Sequence, residues 1–421
     1  MQREVAVTGL GWVTSIGCDG DTAFASLRHS RSGIRPVDWF PGAEDSPVKV
    51  AGTVPEFDVS SHAWPLWRYP ERYTLRRDAL RSLPPHGVYA LCATLQALED
   101  AGLAEADVSS PRTGLFCASA GSPLLMRRHL SQIDVSRGAR GQPLGVVSSI
   151  SGTLNFNLGA YFKIKGANMG IVSACASSSH AIAYAMEEIR SGRQERMIVV
   201  GAEEVNAETL VPFAAMRALS PSGGPDASRP FDRRRDGFVG TGGAVTLILE
   251  DTALARSRRA RVRAFARGWG QASDGHSIAI SREDGDGLAR AMENALADAG
   301  LAPRDIACIN AHATSTAVGD LSEARAVARV FAAHPDVPVS STKALTGHAL
   351  SMAGALEAAL TCLCLESNFV PPQAHLTAPD PGCACLHLPA APLPLSGEHA
   401  LSNSSGFGGS NVALVFRRAD G

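Results

Sequence analysis

The chain has 421 residues, 45% hydrophobic and 19% charged side chains, and a formal net charge of −2. That length exceeds one ordinary core and predicts two domains, or one core built by duplication. The small net charge gives no field to gather nucleic acid or an anionic membrane, and the apolar run 353–365 is too short for a membrane span and stops at Glu366. Nine cysteines, odd in number and mostly inside apolar runs (Cys92, Cys117, Cys308, Cys362), predict reduced thiols in a cytoplasmic compartment. The first residues lack the apolar run of a secretory leader.

In chain order, Val5-Ala-Val-Thr8 has a buried-strand pattern and runs into Gly9-Leu-Gly11-Trp-Val-Thr14. A dinucleotide site would place a third glycine where Thr14 stands, so a tight strand-to-helix turn is the expected use of these glycines. Residues 36–85 are rich in Pro, Trp and Arg with little periodicity. They read as a surface excursion ending in the basic cluster Arg76, Arg77 and Arg81. A helix is expected over 88–101, with Leu91, Leu95 and Leu98 on one face and Gly102 past its end, then a strand over 113–119.

Asp100-Ala-Gly-Leu-Ala104 recurs as Asp298-Ala-Gly-Leu-Ala302, an offset of 298 − 100 = 198 residues, and Asp107-Val108 returns as Asp305-Ile306 at the same offset. An amphipathic pattern precedes each copy and an apolar strand follows it. This predicts a duplicated αβ unit, with halves 1–255 and 256–421 and an insertion at about 120–160 in the first. Alternating strands and helices in both halves imply mostly parallel sheets between helix layers.

The stretch Ile171-Val-Ser-Ala-Cys175-Ala-Ser-Ser-Ser-His180 brings an apolar approach to one cysteine, and a helical pattern begins at once with Ile182, Met186 and Ile189. A cysteine on a first helical turn faces unpaired N–H groups and the positive end of the dipole, which favours thiolate. Ala174, Ala176 and Ser177 leave room for a carbonyl beside the sulfur. A buried structural cysteine is the alternative, but the polar residues crowding this junction favour a nucleophile. Strands are expected at 195–204, 245–250 and 261–265. The run Arg233-Arg-Arg235 reads as a solvated face, and Gly240-Thr-Gly-Gly243 lacks the Lys-Ser/Thr of a phosphate loop.

In the second half, a buried strand at 306–310 opens into His312-Ala-Thr-Ser-Thr316, with Asp320 beyond. Another strand leads to Lys343-Ala-Leu-Thr-Gly-His348 and an Ala/Leu-rich helix carrying Glu357. A Lys, a His and a Glu beside an apolar helix are costly unless paired, which points to a site. One Cys and two His at strand ends suggest thioester chemistry with carbanion control: the thiolate accepts an acyl group, and neutral imidazoles donate to an enolate oxygen. Cys362-Leu-Cys364 and Cys383-Ala-Cys385-Leu-His387 lack metal-ligand spacing, so no metal is expected.

Five segments then carry a resemblance over essentially the whole chain: Ser173–His180, 229–239, Asn310–Thr316, Ser341–His348 and Ser402–Asn411. The chain resembles the β-ketoacyl-[acyl-carrier-protein] synthases, most nearly synthase I of bacterial type II fatty acid synthesis, and Gly242-Gly243 fits synthase I better than synthase II. The resemblance implies a thiolase-like α/β fold of duplicated αβαβα layers, with two mixed, mostly parallel five-stranded sheets. It implies an acyltransferase that condenses an acyl group with malonyl-carrier protein, giving a 3-oxoacyl product and CO2. Cys175 would hold the acyl group, and His312 and His348 would assist decarboxylation and carbon–carbon bond formation. Lys343 and Glu357 would form the supporting ion pair, with Asp320 as a further support.

Thr314 and Thr316 would hold the phosphopantetheine arm, and the backbone N–H groups of Cys175 and Phe407 would form an oxyanion hole. No cofactor is implied beyond the phosphopantetheine of an acyl carrier protein. The partners implied are that carrier and a second copy, or a related ketosynthase or chain-length factor. A non-catalytic chain-length-factor subunit is the rival reading, although such relatives typically lose the cysteine. Arg76, Arg77 and Arg81, with Arg127 and Arg128, are candidates for carrier docking. Ala313 stands where the family usually has Gly, and Leu83-Pro84-Pro85 replaces a helical approach. Ser405 stands where a gating Phe is usual, which predicts an open gate suited to a specialised polyene or polyketide chain.

Overall fold

The computed structural model describes residues 3–42, 45–61 and 63–419, and ten strands form one continuous sheet at its centre. The first five are β1 (Val5–Val13), β2 (Thr113–Ala118), β3 (Asn168–Ile171), β4 (Arg196–Glu203) and β5 (Gly243–Asp251). The second five are β6 (Ala264–Ser273), β7 (Ile306–Asn310), β8 (Val339–Ser340), β9 (His399–Gly406) and β10 (Ser410–Arg418). Across the sheet the order is β8-β7-β9-β10-β6-β1-β5-β4-β2-β3. Each half therefore repeats one order: third, second, fourth, fifth, first. In each half the fifth strand alone runs against its neighbours. The two five-stranded sheets meet in a short antiparallel ladder, Val5↔Ala266 to Val7↔Ala264.

The strand glycines explain how the helices lie so close to this sheet. Gly9 and Gly11 sit inside β1 rather than in the expected turn. A Cβ on Gly9 would stand 2.8 Å from the Ala101 methyl, and one on Gly11 would collide with the Ala93 carbonyl of α1 (Pro85–Asp100). In β6 a Cβ on Gly268 would stand 2.7 Å from the Ala299 methyl, and one on Gly270 would collide with the Ala291 carbonyl of α5 (Asp286–Ala299). The contacted alanines keep the same offset: 291 − 93 = 198 and 299 − 101 = 198. The same glycines hid the true extent of β6, which runs well past 265, because Gly in a strand weakens the usual apolar pattern.

Between β2 and β3 stand α2 (Pro123–Val135) and two shorter helices, Gly145–Ser149 and Thr153–Tyr161, in the place of the expected insertion. Helices α3 (Ser177–Arg190) and α7 (Ala353–Glu366) each link a third strand to a fourth, one per half. Their Ile182, Met186, Leu356 and Leu360 share one core with Val7, Leu247 and Leu249 of the sheet. Helix α7 is buried throughout from Ala353 to Leu365, so its apolar residues need no amphipathic period. Residues 36–85 depart from the expected surface excursion: Phe57, Trp67, Tyr73, Leu75 and Leu80 pack with Leu91 and Leu98 into a core of their own. Burial through irregular backbone leaves no periodic signature. Among the described residues no helix is long and apolar enough to cross a membrane.

Candidate active site

The duplication brings the site together. Cys175 immediately precedes α3, His348 precedes α7, and both helices are packed in the same core. Ala174 takes a left-handed φ of +50°, a conformation costly for a residue with a Cβ. The turn is locked by the Ser177 hydroxyl, which accepts from the Ser173 N–H (2.8 Å) and donates to the Ala174 carbonyl (2.6 Å). Cys175 lies just outside the helix, whose N-cap is Ala176, rather than on its first turn.

His348 Nε2 is 3.1 Å from Cys175 Sγ, and the Phe407 N–H also donates to that sulfur. Burial pushes the thiol up to about 12, with Lys343 opposing the shift. Desolvation thus opposes the pull of the helix end that favours a thiolate. His312, two residues past β7, sets its ring edge-on to His348 with centroids 5.2 Å apart. Burial first, then the charge on Lys343, holds both imidazoles well below 6.5, so both are neutral. Among the described residues each Nδ1 is buried without a hydrogen-bond partner, which favours a bare Nδ1 and a proton on Nε2.

Lys343 and Glu357 form a fully buried ion pair, and burial still raises the Glu357 carboxyl to about 7. Asp320 does not line the cavity. It accepts from the backbone N–H groups of Phe231 (2.8 Å) and Ser315 (3.1 Å), which braces the loop that carries His312, Thr314 and Thr316. Thr314 and Thr316 have their hydroxyls 3.1 Å apart. Both line the cavity of about 480 Å³ that also holds Cys175, His312, His348 and Ser405. The Ser405 hydroxyl donates to Asn411 Oδ1 (2.7 Å), and Asn411 Nδ2 donates to Asp274 (2.7 Å).

Glu323 escaped the sequence reading. Its carboxylate accepts from the N–H groups of His312 (3.0 Å) and Ala313 (2.6 Å) and from Asn403 (2.9 Å). In sequence it looks like the solvated face of α6 (Ala317–Val330); its spacing i, i+3 from Asp320, on a face with Ala324 and Val327, was the available signal. Phe238, stacked edge-on against His348 at 5.3 Å, was also missed. The proposed docking arginines are not at this cavity. Arg76 stacks over Tyr161 and pairs with Asp78, beside a separate cavity of about 150 Å³. Arg127 pairs with Glu208. Among the described residues no group of three or more His, Cys, Asp or Glu side chains is placed to hold a metal.

Residues 2–255 match the family model described as Beta-ketoacyl synthase, N-terminal domain, and residues 263–377 match Beta-ketoacyl synthase, C-terminal domain. The chain is 35% identical over 429 residues to 3-oxoacyl-[acyl-carrier-protein] synthase 1 of Haemophilus influenzae, covering 100% of both. It is 34% identical over 424 residues to synthase 2 of Vibrio cholerae, covering 99% of each. Among solved structures it is similar to a β-ketoacyl synthase from Burkholderia phymatum, with TM-score 0.91 and 34% identity over 100% of both chains. It is also similar to the ishigamide ketosynthase/chain length factor, with TM-score 0.88 and 28% identity over 100% of both.

Proposed function

The chain belongs to the β-ketoacyl synthase family, and from that premise we propose that Cys175, His312 and His348 carry out its condensation. The reaction is that of a 3-oxoacyl-[acyl-carrier-protein] synthase: an acyl group and malonyl-carrier protein give 3-oxoacyl-carrier protein and CO2. In the first half-reaction Cys175 Sγ attacks the carrier thioester, a new S–C bond forms, and the pantetheine thiol leaves with the proton. In the second, malonyl loses CO2 to give an enolate, its carbon attacks the acyl carbonyl, and the Cys175 sulfur leaves as thiolate and takes a proton from water. The Nε2–H groups of His312 and His348 hold the enolate oxygen, and the N–H groups of Cys175 and Phe407 hold the tetrahedral oxygen. Burial, aided by the charge of Lys343 in its pair with Glu357, keeps both imidazoles neutral, while Thr314 and Thr316 hold the arm and Asp320 braces their loop.

The observation that carries this reading is the 3.1 Å contact between His348 Nε2 and Cys175 Sγ, with two neutral imidazoles in one cavity. It also speaks against the non-catalytic subunit. We divide the work between halves: residues 1–255 supply the nucleophile and 256–421 the histidines and lysine. The edge strand β3 is exposed, carries exposed Met169 and has exposed Phe156, Val172 and Tyr184 on the segments next to it, which supports pairing with a second copy or a related ketosynthase subunit. Ser405 as an open gate supports a specialised unsaturated chain as substrate, in a cytoplasmic pathway. The test is the mass of the group left on Cys175 after incubation with a panel of acyl-carrier proteins. An adduct at Cys175 is expected, strongest for an unsaturated chain; adducts elsewhere, or none, would overturn the reading.

A further inference from the structure

Two adjacent carboxyls at the end of β4, Glu203 and Glu204, are 0% and 2% exposed and take no part in the chemistry above. Burying a carboxyl is costly, and Glu203 is only half satisfied. Its Oε1 accepts from the Ala120 N–H (2.9 Å) and from the Ser351 hydroxyl. Among the described residues its Oε2 is buried without a partner. Ser351 lies in the turn Leu350–Met352 that joins His348 to α7. Gly201 lets that turn lie against β4, since a Cβ there would stand 3.1 Å from Met352 Cα. One carboxyl thus ties β4 to the turn that follows His348.

The titratable groups that face Glu203 come from three elements. His86 of α1 meets Glu204 at Nδ1 (3.2 Å) and the Ser119 hydroxyl at Nε2 (2.9 Å). Glu204 is the chain neighbour, and Cys175 belongs to the turn before α3. Burial raises the Cys175 thiol most, Lys343 opposes, and the charges of Glu203 and then Glu357 add to the rise. Glu357 is paired with Lys343, whereas among the described residues no lysine or arginine pairs with Glu203. We propose that Glu203 is a positioning residue that sets the reactivity of Cys175. Protonated, it anchors the turn after His348 without adding charge; ionised, it disfavours the thiolate. Burial lifts its carboxyl from 4.5 to about 7, so the two forms exchange near neutral pH. The proposal rests on the condensing reading only in taking Cys175 as the acyl acceptor.

The test is alkylation by iodoacetamide, read on the Cys175 peptide by mass from about pH 6 to about 8.5, because only the thiolate reacts. Glu203→Gln keeps an oxygen for Ala120 and Ser351 but cannot ionise. The ratio of its rate to that of wild type should climb about three-fold or more across this range, since a like charge in a buried site opposes the thiolate. Ser351→Ala removes a donor that favours ionised Glu203, so the step in its profile should move to higher pH. A flat ratio would overturn the proposal, as would a step that survives in Glu203→Gln and vanishes in His86→Gln. Should Glu203→Gln not fold, Ser351→Ala carries the test, and an unmoved step overturns the proposal. Acylation of Cys175 by hexanoyl-pantetheine should show the same step as alkylation. A step in alkylation with no acylation at any pH would overturn the condensing reading and leave the role of Glu203 standing.

Discussion

The carboxylate of Glu323 grips the backbone of His312, accepting its N–H at 3.0 Å and that of Ala313 at 2.6 Å. A buried carboxylate that spends both oxygens on one turn fixes where the imidazole starts. Glu323→Gln places an amide N–H₂ against backbone donors and breaks one of the two bonds. Displacement of a reacting group by about 1 Å costs on the order of 10²-fold. Malonyl decarboxylation should therefore fall about 10²-fold while acylation of Cys175 changes little. Equal losses in the two half-reactions, or none, would show that Glu323 merely stabilises the fold.

The two histidines should separate in the same assays. His312→Ala removes a donor from the enolate alone, and decarboxylation should drop roughly 10²–10³-fold, the size of an oxyanion-donor deletion. His348→Ala removes a donor and also the neighbour of Cys175 Sγ, so acylation should fall as well. Rates for each half-reaction in single turnovers check this. Acylation equally impaired in both variants would count against the distinct placement of His348.

A third prediction concerns pH and stability. Glu203 is buried, accepts from the Ala120 N–H (2.9 Å) and the Ser351 hydroxyl, and is pushed by burial from 4.5 up to about 7. Because the folded value is the higher one, the folded chain holds the proton longer. The stabilisation is complete below about pH 4.5 and is lost as pH rises through 7. Glu203→Gln has nothing to titrate there. Denaturant midpoints between pH 4.5 and 8 should fall more steeply for wild type than for Glu203→Gln. Parallel curves would mean that Glu203 is ionised throughout.

Much of this site is legible in sequence, because Cys175, His312, Lys343, His348 and Glu357 are chemically conspicuous among small or apolar neighbours. The offset of 198 between Asp100-Ala-Gly-Leu-Ala104 and Asp298-Ala-Gly-Leu-Ala302 foretold the repeated strand order. Other features depend on what lies opposite in space. Glu323 reads as a surface residue until its helix is packed under His312. The helix end beside Cys175 is visible in sequence, but the desolvation that opposes it is not. Gly9 and Gly11 looked like a turn because the helix pressed against them comes from residues 85–100.

Ser405 supports a fourth prediction. Its hydroxyl is held by Asn411 at the wall of the Cys175 cavity, where a phenylalanine would project a ring. Wild type should acylate faster from a polyunsaturated carrier thioester than from the matched saturated one. Ser405→Phe should narrow the opening, break the Asn411 bond and reverse that preference. A preference for the saturated chain that is unchanged in Ser405→Phe would end the open-gate account.

The most direct test of the central claim is condensation by Cys175→Ala, read as 3-oxoacyl-carrier protein formed from acyl- and malonyl-carrier proteins. A methyl in place of the thiol removes one atom next to the small Ala174 and Ala176, so a folded protein with a wild-type circular dichroism spectrum is expected. That protein should form no acyl adduct and no 3-oxoacyl product, while malonyl thioester still reaches His312 and His348. Condensation by Cys175→Ala at near wild-type rate would contradict the covalent mechanism.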